Sequence, residues 1–177
     1  MAGILRPAAF DDVPALRALI EQSVMRLQAG DYSEAQRRAA LGTVFGIDTA
    51  LLRDGTYFVI EIDGVIAACG GWSYRRTLYG ADAVAGKDDA RLDPAVDAAR
   101  IRAFFVRPGY ERRGLGRRLL DACEAAARAA GFTRAEMGAT LTGAALYAAC
   151  GYAPIEETAA ALPGGLDLPI VRMGKAL

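Results

Sequence analysis

The sequence of 177 residues contains no histidine. This absence excludes catalysis by a Ser-His-Asp or Cys-His arrangement, and it excludes every metal site with an imidazole ligand. Acid–base chemistry must therefore fall to Glu, Asp, Tyr, Lys, Cys or water. We expect no metal site in this chain.

Cysteines are few, and long apolar runs are absent. Cys69, Cys123 and Cys150 show no CxxC spacing, and each lies among apolar or Ala-rich residues. They are predicted to be reduced, buried thiols, and no motif supports a nucleophilic role. No segment approaches the ~18 apolar residues of a membrane span, and the N-terminus lacks the apolar region of a signal peptide. We expect a cytoplasmic protein without a membrane partner.

An excess of charge of either sign is also lacking. Lys and Arg number 21, Asp and Glu number 21, and the isoelectric point is near 6.3. A nucleic-acid binder is usually basic overall or carries a broad basic face. Because the only local excess lies in residues 107–118, we expect a small anionic ligand and no nucleic acid.

The segment that carries this excess has the form strand, glycine turn, helix. The apolar run Ile101–Val106 is followed by Pro108-Gly109, then by Gly114-Leu115-Gly116, and then by an Ala- and Leu-rich helical pattern. Such a junction gathers unpaired backbone N–H groups and the positive end of a helix dipole in one place. The pattern predicts a site for phosphate or diphosphate.

Arginines concentrate at this turn. Residues 107–118 contain five arginines and one acid, Glu111. The arginines are Arg107, Arg112, Arg113, Arg117 and Arg118. Cations in a first helical turn oppose the dipole at roughly 0.3–1 kcal/mol each, so a bound polyanion would compensate. A solvated basic turn punctuated by glycine is the alternative interpretation.

The order of predicted elements along the chain is β-α-α-β-β-β-α-β-α-β-β. Capping and periodicity predict helices from Asp11 or Asp12 to about Leu27, and from Ser33 to about Phe45. Asp63-Gly64 predicts a two-residue hairpin turn. The remaining strands are predicted near residues 4–6, 56–62, 65–72, 100–106, 134–139, 152–157 and 167–174, and the remaining helices near 115–130 and 143–150. Residues 73–99 lack clean periodicity and are either a lid or binding loop or a disordered insert.

This order predicts a mixed sheet covered by helices. The glycine turn lies too late in the chain for a Rossmann fingerprint, and the Gly-Lys-Ser/Thr of a P-loop is absent. In the helix near 115–130, Glu124 and Arg128 are expected to pair on the solvent face. The expected core positions of that helix are Leu115, Leu119, Ala122, Cys123, Ala126 and Ala130.

Two motifs in this sequence resemble motifs of the GNAT superfamily of N-acetyltransferases. The family's Gln/Arg-x-x-Gly-x-Gly/Ala motif after a strand is present as Glu111-Arg-Arg-Gly114-Leu-Gly116. A later motif is present as Leu146-Tyr147-Ala-Ala-Cys-Gly151-Tyr152. The resemblance implies an α/β (α+β) GNAT fold in a single domain over residues 1–177. That fold has a mixed, mostly antiparallel sheet of six to seven strands, about four helices and splayed central parallel strands.

The resemblance also implies a cofactor site for acetyl-CoA. Backbone groups of Phe104, Phe105 and Val106 would pair with the pantetheine arm, and N–H groups from Arg112 to Arg117 would hold the diphosphate. The whole implied set is Phe104, Phe105, Val106, Arg107, Glu111, Arg112, Arg113, Gly114, Leu115, Gly116, Arg117 and Thr142. An amine would attack the thioester directly, and Tyr147 would protonate the departing thiolate. Without the resemblance, Tyr147 is a packed aromatic on an Ala-rich helix.

Three positions depart from the family pattern. Glu111 replaces Gln/Arg, Thr142 replaces an Asn of many relatives, and Arg100 stands where some relatives have a basic Glu. The general base is therefore unassigned. Glu61 and Glu136 are candidates, although either could be a solvent-facing strand residue, and water or a backbone carbonyl could also serve.

The acceptor cannot be identified from the sequence. The resemblance places its cleft within residues 21–45 and 71–100, where Trp72, Tyr74, Arg75 and Arg76 could line it. A homodimer is implied by resemblance only. Two other functions stay open: a catalytically impaired acyl-CoA-binding or sensing module of the same fold, and a phosphate- or RNA-binding domain based on the arginines.

Overall fold

A computed structural model of the chain describes residues 3–177 and forms one seven-stranded sheet in the order β1-β2-β3-β4-β5-β7-β6. The strands are β1 (Ile4–Pro7), β2 (Tyr57–Ile62), β3 (Val65–Ser73), β4 (Ala99–Val106), β5 (Arg134–Thr140), β6 (Ala153–Ala161) and β7 (Asp167–Ala176). The helices are α1 (Val13–Leu27), α2 (Glu34–Ala40), α3 (Thr49–Asp54), α4 (Leu115–Ala129) and α5 (Ala144–Ala149). Within residues 3–177, every helix is too short or too polar to cross a membrane.

The predicted mixed sheet with a splayed parallel pair is confirmed. Every neighbouring pair of strands is antiparallel except β4 and β5. These two pair only at Ala99↔Ala135 and Arg100↔Glu136, and then they separate. The sheet therefore opens at its centre, toward the carboxyl ends of β4 and β5.

Helices cover both faces of the sheet. On one face α1 buries Leu16, Leu19 and Val24 completely, at the spacing of one helical stripe. On the other face α4 buries Leu119 and Leu120. Each helix belongs to a buried cluster that includes residues from both sides of the gap: Phe105 with Leu168 on the α1 face, and Ile101 with Met137 on the α4 face. These clusters hold the divided sheet together.

The predicted helices differ from the observed ones in two places. The second helix ends at Ala40, not near Phe45, because Gly42 has a left-handed backbone (φ 83°) and turns the chain back. The turn brings Phe45 edge-on to Phe105, with ring centroids 5.9 Å apart. The short helix α3 was not predicted; the Asp48 side chain caps it by accepting from the Ala50 N–H at 3.0 Å.

The predicted pair of Glu124 and Arg128 is confirmed, but the expected solvent-facing position is wrong for Glu124. Glu124 is only 4 % exposed, and its carboxylate lies 2.9 Å from the Lys175 ammonium on β7. Arg128 reaches the same carboxylate from the solvent side at 3.3 Å. Ala130, expected in the core, is exposed, because the last turn of α4 extends beyond the sheet.

Residues 73–99 form an ordered, irregular hairpin, so the disordered alternative is wrong. Backbone N–H groups of Thr77 and Leu92 donate across it to Asp88 and Tyr74. Its tip docks on the turn before α3, where the Ala81 N–H donates to the Thr43 carbonyl at 2.7 Å. The segment is a packed wall against the carboxyl-terminal half of β4.

A buried ion cluster fixes this hairpin. Arg102 and Asp48 are both 3 % exposed and are joined at 2.8 Å, and Lys87 reaches the second Asp48 oxygen at 2.7 Å. Arg102 also donates to the carbonyls of Thr77 and Gly80. Because a buried charge without its partner is strongly unfavourable, the cluster ties the hairpin to both β4 and the α3 cap.

Replacing Asp48 should therefore loosen the hairpin. Asp48→Asn leaves two buried or half-buried cations without their carboxylate, so we expect a loss of about 3–5 kcal/mol in the free energy of unfolding. Chemical denaturation measures that loss, and limited proteolysis should show new cleavage within residues 78–87. Asp89→Asn, at an exposed position of the same hairpin, is the matched control. Equal stability of the two variants would contradict the role of the cluster.

Candidate active site

The gap between β4 and β5 opens into a channel of about 740 Å³. One wall is the strand Ile101–Val106, and the opposite wall includes Met137, Gly138 and Thr140 of β5. The N-terminus of α4 closes one end, and α5 lies along the side. The backbone edges of the two parted strands thus face a common cavity.

A β-bulge in β4 shapes the channel wall. Ala103 and Phe104 together lie opposite the single residue Gly70, and Ala103 has a left-handed backbone (φ 56°). The Tyr57 hydroxyl donates to the Ala103 carbonyl at 3.0 Å and holds it. A Cβ at Gly70 would lie 2.7 Å from the Phe104 ring, so glycine is needed beside the bulge. Bulges re-aim side chains next to active sites, and this one directs Phe104 toward α5.

The turn before α4 leaves backbone N–H groups available at the start of the helix. Arg112 (φ 64°) and Gly114 (φ 77°) are both left-handed, and no side chain within residues 3–177 caps the helix. The first N–H groups of α4, beginning at Leu115, therefore point out of the helix without partners in it. A Cβ at Gly114 would contact nothing within 4 Å, so the space beside the turn is open. Backbone amides and the helix dipole together favour an anion there.

Gly116 sets the distance between α4 and α5. A Cβ at this position would lie 2.7 Å from a terminal methyl of Leu146. The glycine therefore lets Leu146, and with it the neighbouring Tyr147, pack directly beside the anion-binding turn.

The arginines of the turn separate into two groups. Arg112 and Arg117 belong to the channel wall, together with Glu111, Gly114, Leu115 and Gly116. Arg107 instead donates to the Ile66 carbonyl, and Arg113 lies over the Tyr110 ring at 4.9 Å; neither side chain belongs to the wall. Arg118 donates to the Gly3 carbonyl.

Glu111, the unusual residue of the first motif, is occupied within the turn. Its carboxylate accepts a hydrogen bond from the Gly109 N–H. Because it braces the turn, it leaves the amides from Arg112 onward available. The departure from Gln/Arg is thus compatible with an anion site.

Two further predicted residues lie in the channel wall. Thr142 donates from its hydroxyl to Asp31 at 2.7 Å and joins the start of α5 to the end of α1. Tyr147 is 8 % exposed, and its ring lies 6.1 Å from both Phe104 and Tyr152 in edge-to-face contacts. Burial raises the pKa of Tyr147 well above that of an ordinary tyrosine. The phenol is therefore a proton donor throughout the neutral range.

Neither candidate base lies in the channel wall. Glu136 is 9 % exposed and sits between Arg100 and Arg172, at 3.0 and 2.7 Å, so the solvent-facing alternative is wrong for it. Glu61 is paired with Arg6 at 3.1 Å. Both carboxylates neutralise arginines, and among residues 3–177 the wall contains no acid except Glu111.

The residues expected around the acceptor also differ. Trp72 is buried against Tyr74 and Phe132, and Arg75 pairs with Asp54 at 2.7 Å; Arg76 also lies outside the wall. The wall there is built from residues that sequence reasoning did not single out: Ser23, Leu27, Gln28, Val44, Phe45, Leu78, Tyr79 and Gly80. These residues lie within the ranges expected for the acceptor cleft, residues 21–45 and 71–100, but they belong to no motif. Nothing in a single sequence marks them as wall residues.

Comparison with known proteins identifies the family. The family model "Acetyltransferase (GNAT) family" matches residues 21–152. The chain therefore belongs to the GNAT acetyltransferases. No curated protein sequence matches it significantly.

Solved structures support the same fold at low sequence identity. A GCN5-related N-acetyltransferase from Rhodopseudomonas palustris is 24 % identical with a TM-score of 0.74, covering 100 % of this chain and 97 % of the other. PaiA N-acetyltransferase from Thermoplasma acidophilum, solved with coenzyme A, is 15 % identical with a TM-score of 0.68 and full coverage of both chains. YncA from Salmonella typhimurium, a putative acetyltransferase solved with acetyl-CoA, is 19 % identical with a TM-score of 0.64, covering 100 % and 95 %.

Cys69 also lies in the channel wall, but burial makes its thiol unreactive. The side chain is completely buried, and burial raises the pKa of the thiol to about 12. Burial likewise raises the pKa of Cys123. Since the thiolate is the reactive form, neither cysteine is a nucleophile at neutral pH.

Thiol labelling tests this assignment. With iodoacetamide at pH 8, we expect mass spectrometry to find the half-buried Cys150 modified first, with Cys69 and Cys123 protected in the folded protein. All three should react in denaturant, which serves as the control. Rapid labelling of Cys69 in the folded state would show an activated cysteine in the channel.

Proposed function

We propose that this GNAT protein transfers the acetyl group of acetyl-CoA to an amine. The proposal depends on one observation: three features line the same channel. They are the uncapped N-terminus of α4, the free edge of β4 and the phenol of Tyr147. Each matches one part of the cofactor: its diphosphate, its amide-containing arm and its thioester sulfur.

The diphosphate fits the turn at Arg112 to Arg117. The left-handed Gly114 leaves open space where a Cβ would stand, and the amides that follow point toward it. Arg112 and Arg117 add positive charge at the same place. A bound diphosphate would compensate for these arginines, which lie near the positive end of the helix dipole.

The pantetheine arm fits the edge of Phe104–Val106. Phe105 and Val106 pair with β3 on one side only, because β5 has separated from β4 at this level, and Phe104 lies in the bulge beside them. An extended group with amides can therefore continue the hydrogen-bond pattern as an added strand does. The arm would run from the α4 turn toward the bulge at Ala103.

Tyr147 supplies the proton at the sulfur. Acetyl-CoA supplies the activated acyl group; the amine nitrogen forms the new bond to the acyl carbon as the carbon–sulfur bond breaks. The Tyr147 hydroxyl donates its proton to the departing thiolate, and the phenol regains one from solvent. The ring contacts with Phe104 and Tyr152 fix the direction of that donation.

No side-chain base is assigned to the amine. Because Glu111 is the only carboxylate in the wall within residues 3–177, and it is held by the Gly109 N–H, water is the proton acceptor in this proposal. The reaction therefore draws on the neutral fraction of the amine, which grows as the pH approaches the pKa of the amine itself.

Replacement of Gly114 tests the diphosphate site. Gly114→Ala adds a methyl group to the open space and strains a left-handed residue, so we expect acetyl-CoA to bind at least about tenfold more weakly by calorimetry. Gly164→Ala is the matched control, because Gly164 is also left-handed (φ 81°) with nothing within 4 Å, but lies between β6 and β7. Both variants should lose similar stability, about 1–2 kcal/mol. Equal acetyl-CoA affinity in both would contradict the site.

Replacement of Tyr147 tests the acid. Tyr147→Phe should lower kcat by about 100-fold with little change in acetyl-CoA affinity, since it removes one proton donor and keeps the ring. Tyr152→Phe, which alters the neighbouring ring outside the wall, should retain activity. Free thiol release with an amine panel measures both.

The pH profile adds an independent test. Because the pKa of Tyr147 lies above the ordinary value of about 10, kcat in the wild type should not decline between pH 7 and about 10. A decline near pH 8 would contradict Tyr147 as the acid. Tight acetyl-CoA binding without turnover on any amine would favour the sensing module instead.

A further inference from the structure

The channel has a second compartment beyond the bulge, formed by the end of α1, the turn after α2 and the hairpin 73–99. Its side chains are mainly apolar or neutral: Ser23, Leu27, Gln28, Val44, Phe45, Leu78, Tyr79 and Ile170. Arg102, the one charged residue that β4 contributes to the wall, is paired with Asp48 at 2.8 Å. The compartment is the remaining space for an acceptor in the proposed reaction, on which this inference rests.

Gln28 is the unexplained residue of this compartment. It is 5 % exposed, and its side-chain oxygen is buried without a hydrogen-bond partner among residues 3–177. Two other buried side-chain atoms in that part of the chain share this property, on Thr56 and Tyr152, but neither residue belongs to the channel wall. A buried polar group without a partner is costly, so its place in a channel wall calls for a partner that enters the channel.

The Gln28 amide can either accept a hydrogen bond from a ligand or donate one to it. The amide carries two N–H donors as well as the oxygen, and half a turn of the amide exchanges the two ends. A neutral oxygen in this position suits an N–H donor. It does not offer the full negative charge with which a carboxylate holds a polycation.

The surrounding charges do not favour a polycation. Beside the compartment, the single buried carboxylate of Asp48 is shared by two cations, Arg102 and Lys87. Asp82 lies farther from Lys87, at 3.7 Å, and is largely exposed, so solvent screens it. Asp31, which accepts from Thr142 at the channel wall, is also exposed. The acids beside the compartment are therefore either neutralised by cations of the protein or screened by solvent.

We propose that Gln28 binds the attacking amine, and that the acceptor is a small monoamine with an apolar body. The Gln28 oxygen accepts an N–H of the amine, while Phe45, Leu78 and neighbouring apolar groups cover its carbon skeleton. Polyamines and lysine-rich peptides are disfavoured because the side chains of this compartment offer their additional charges no carboxylate, and the one acid of the channel wall among residues 3–177, Glu111, belongs to the α4 turn.

Two probes and two variants test this inference. Phenethylamine represents the monoamine class, and spermidine represents the polycations. Gln28→Leu removes the polar group at similar volume, and Gln28→Glu restores an oxygen with a charge. Gln22→Leu, on an exposed position of the same helix outside the wall, is the matched control.

The first readout is binding to protein saturated with coenzyme A, measured by calorimetry. The wild type should bind phenethylamine more tightly than spermidine. Gln28→Leu should lower the affinity for phenethylamine by about tenfold, as expected for a lost hydrogen bond in a buried site. Gln28→Glu should keep its affinity for phenethylamine and should bind spermidine more tightly than the wild type does. The affinity for coenzyme A should be the same in all variants.

The second readout is the KM for each amine in the acetyl-CoA reaction. Gln28→Leu should raise the KM for phenethylamine and leave the KM for acetyl-CoA unchanged, which a general loss of structure would not do. Unchanged phenethylamine affinity in Gln28→Leu, or a wild-type preference for spermidine, overturns the inference even if turnover occurs. Amine binding that depends on Gln28 without any turnover supports the inference and overturns the proposed function.

Discussion

Backbone hydrogen bonding between β4 and β5 stops after Arg100 and Glu136, and the remainder of the structure is arranged around that interruption. Peptide groups inside a protein need partners, so two strands that part within a sheet leave an edge that only solvent or a ligand can satisfy. The bulge at Ala103 turns the β4 edge toward the cavity, while β5 stays fully paired with β7. Helices on both faces hold the parted strands in place, and a channel results where a continuous sheet would have none.

Electrostatics divide this channel into two ends. At the α4 turn, unpaired amides, the helix dipole, Arg112 and Arg117 all favour an anion, and Glu111 is held away by the Gly109 N–H. At the other end, the wall is mainly apolar or neutral, and its one cation, Arg102, is paired with the buried Asp48. Between the two ends stands Tyr147, whose raised pKa keeps it protonated. This order matches the proposed reaction, in which the α4 turn would bind the diphosphate, Tyr147 would donate the proton and the compartment around Gln28 would hold the amine.

Features that rest on local chemistry could be predicted from the sequence. The Asp63-Gly64 turn, the strand into the Gly114-Leu115-Gly116 turn and the order of strands all follow from short patterns whose physical cause lies within a few residues. Features that rest on distant partners could not. The sequence predicts Glu124 on the solvent face because the residue is charged and has Arg128 four residues later. In the fold, however, Lys175 of β7 lies against Glu124. The bulge at Ala103 depends on Gly70, and the wall position of Gln28 depends on the packing of α1 against the turn after α2.

Amide hydrogen exchange, read residue by residue with and without acetyl-CoA, tests the central claim most directly. If the parted strands and the α4 turn receive the cofactor, exchange should slow at the amides of Phe104–Val106 and of residues 114–117. It should stay unchanged along β6, whose exposed edge offers similar unpaired groups on the far side of the sheet. Unaltered exchange at the β4 edge and the α4 turn in the presence of saturating acetyl-CoA, or protection at β6 instead, would contradict the account.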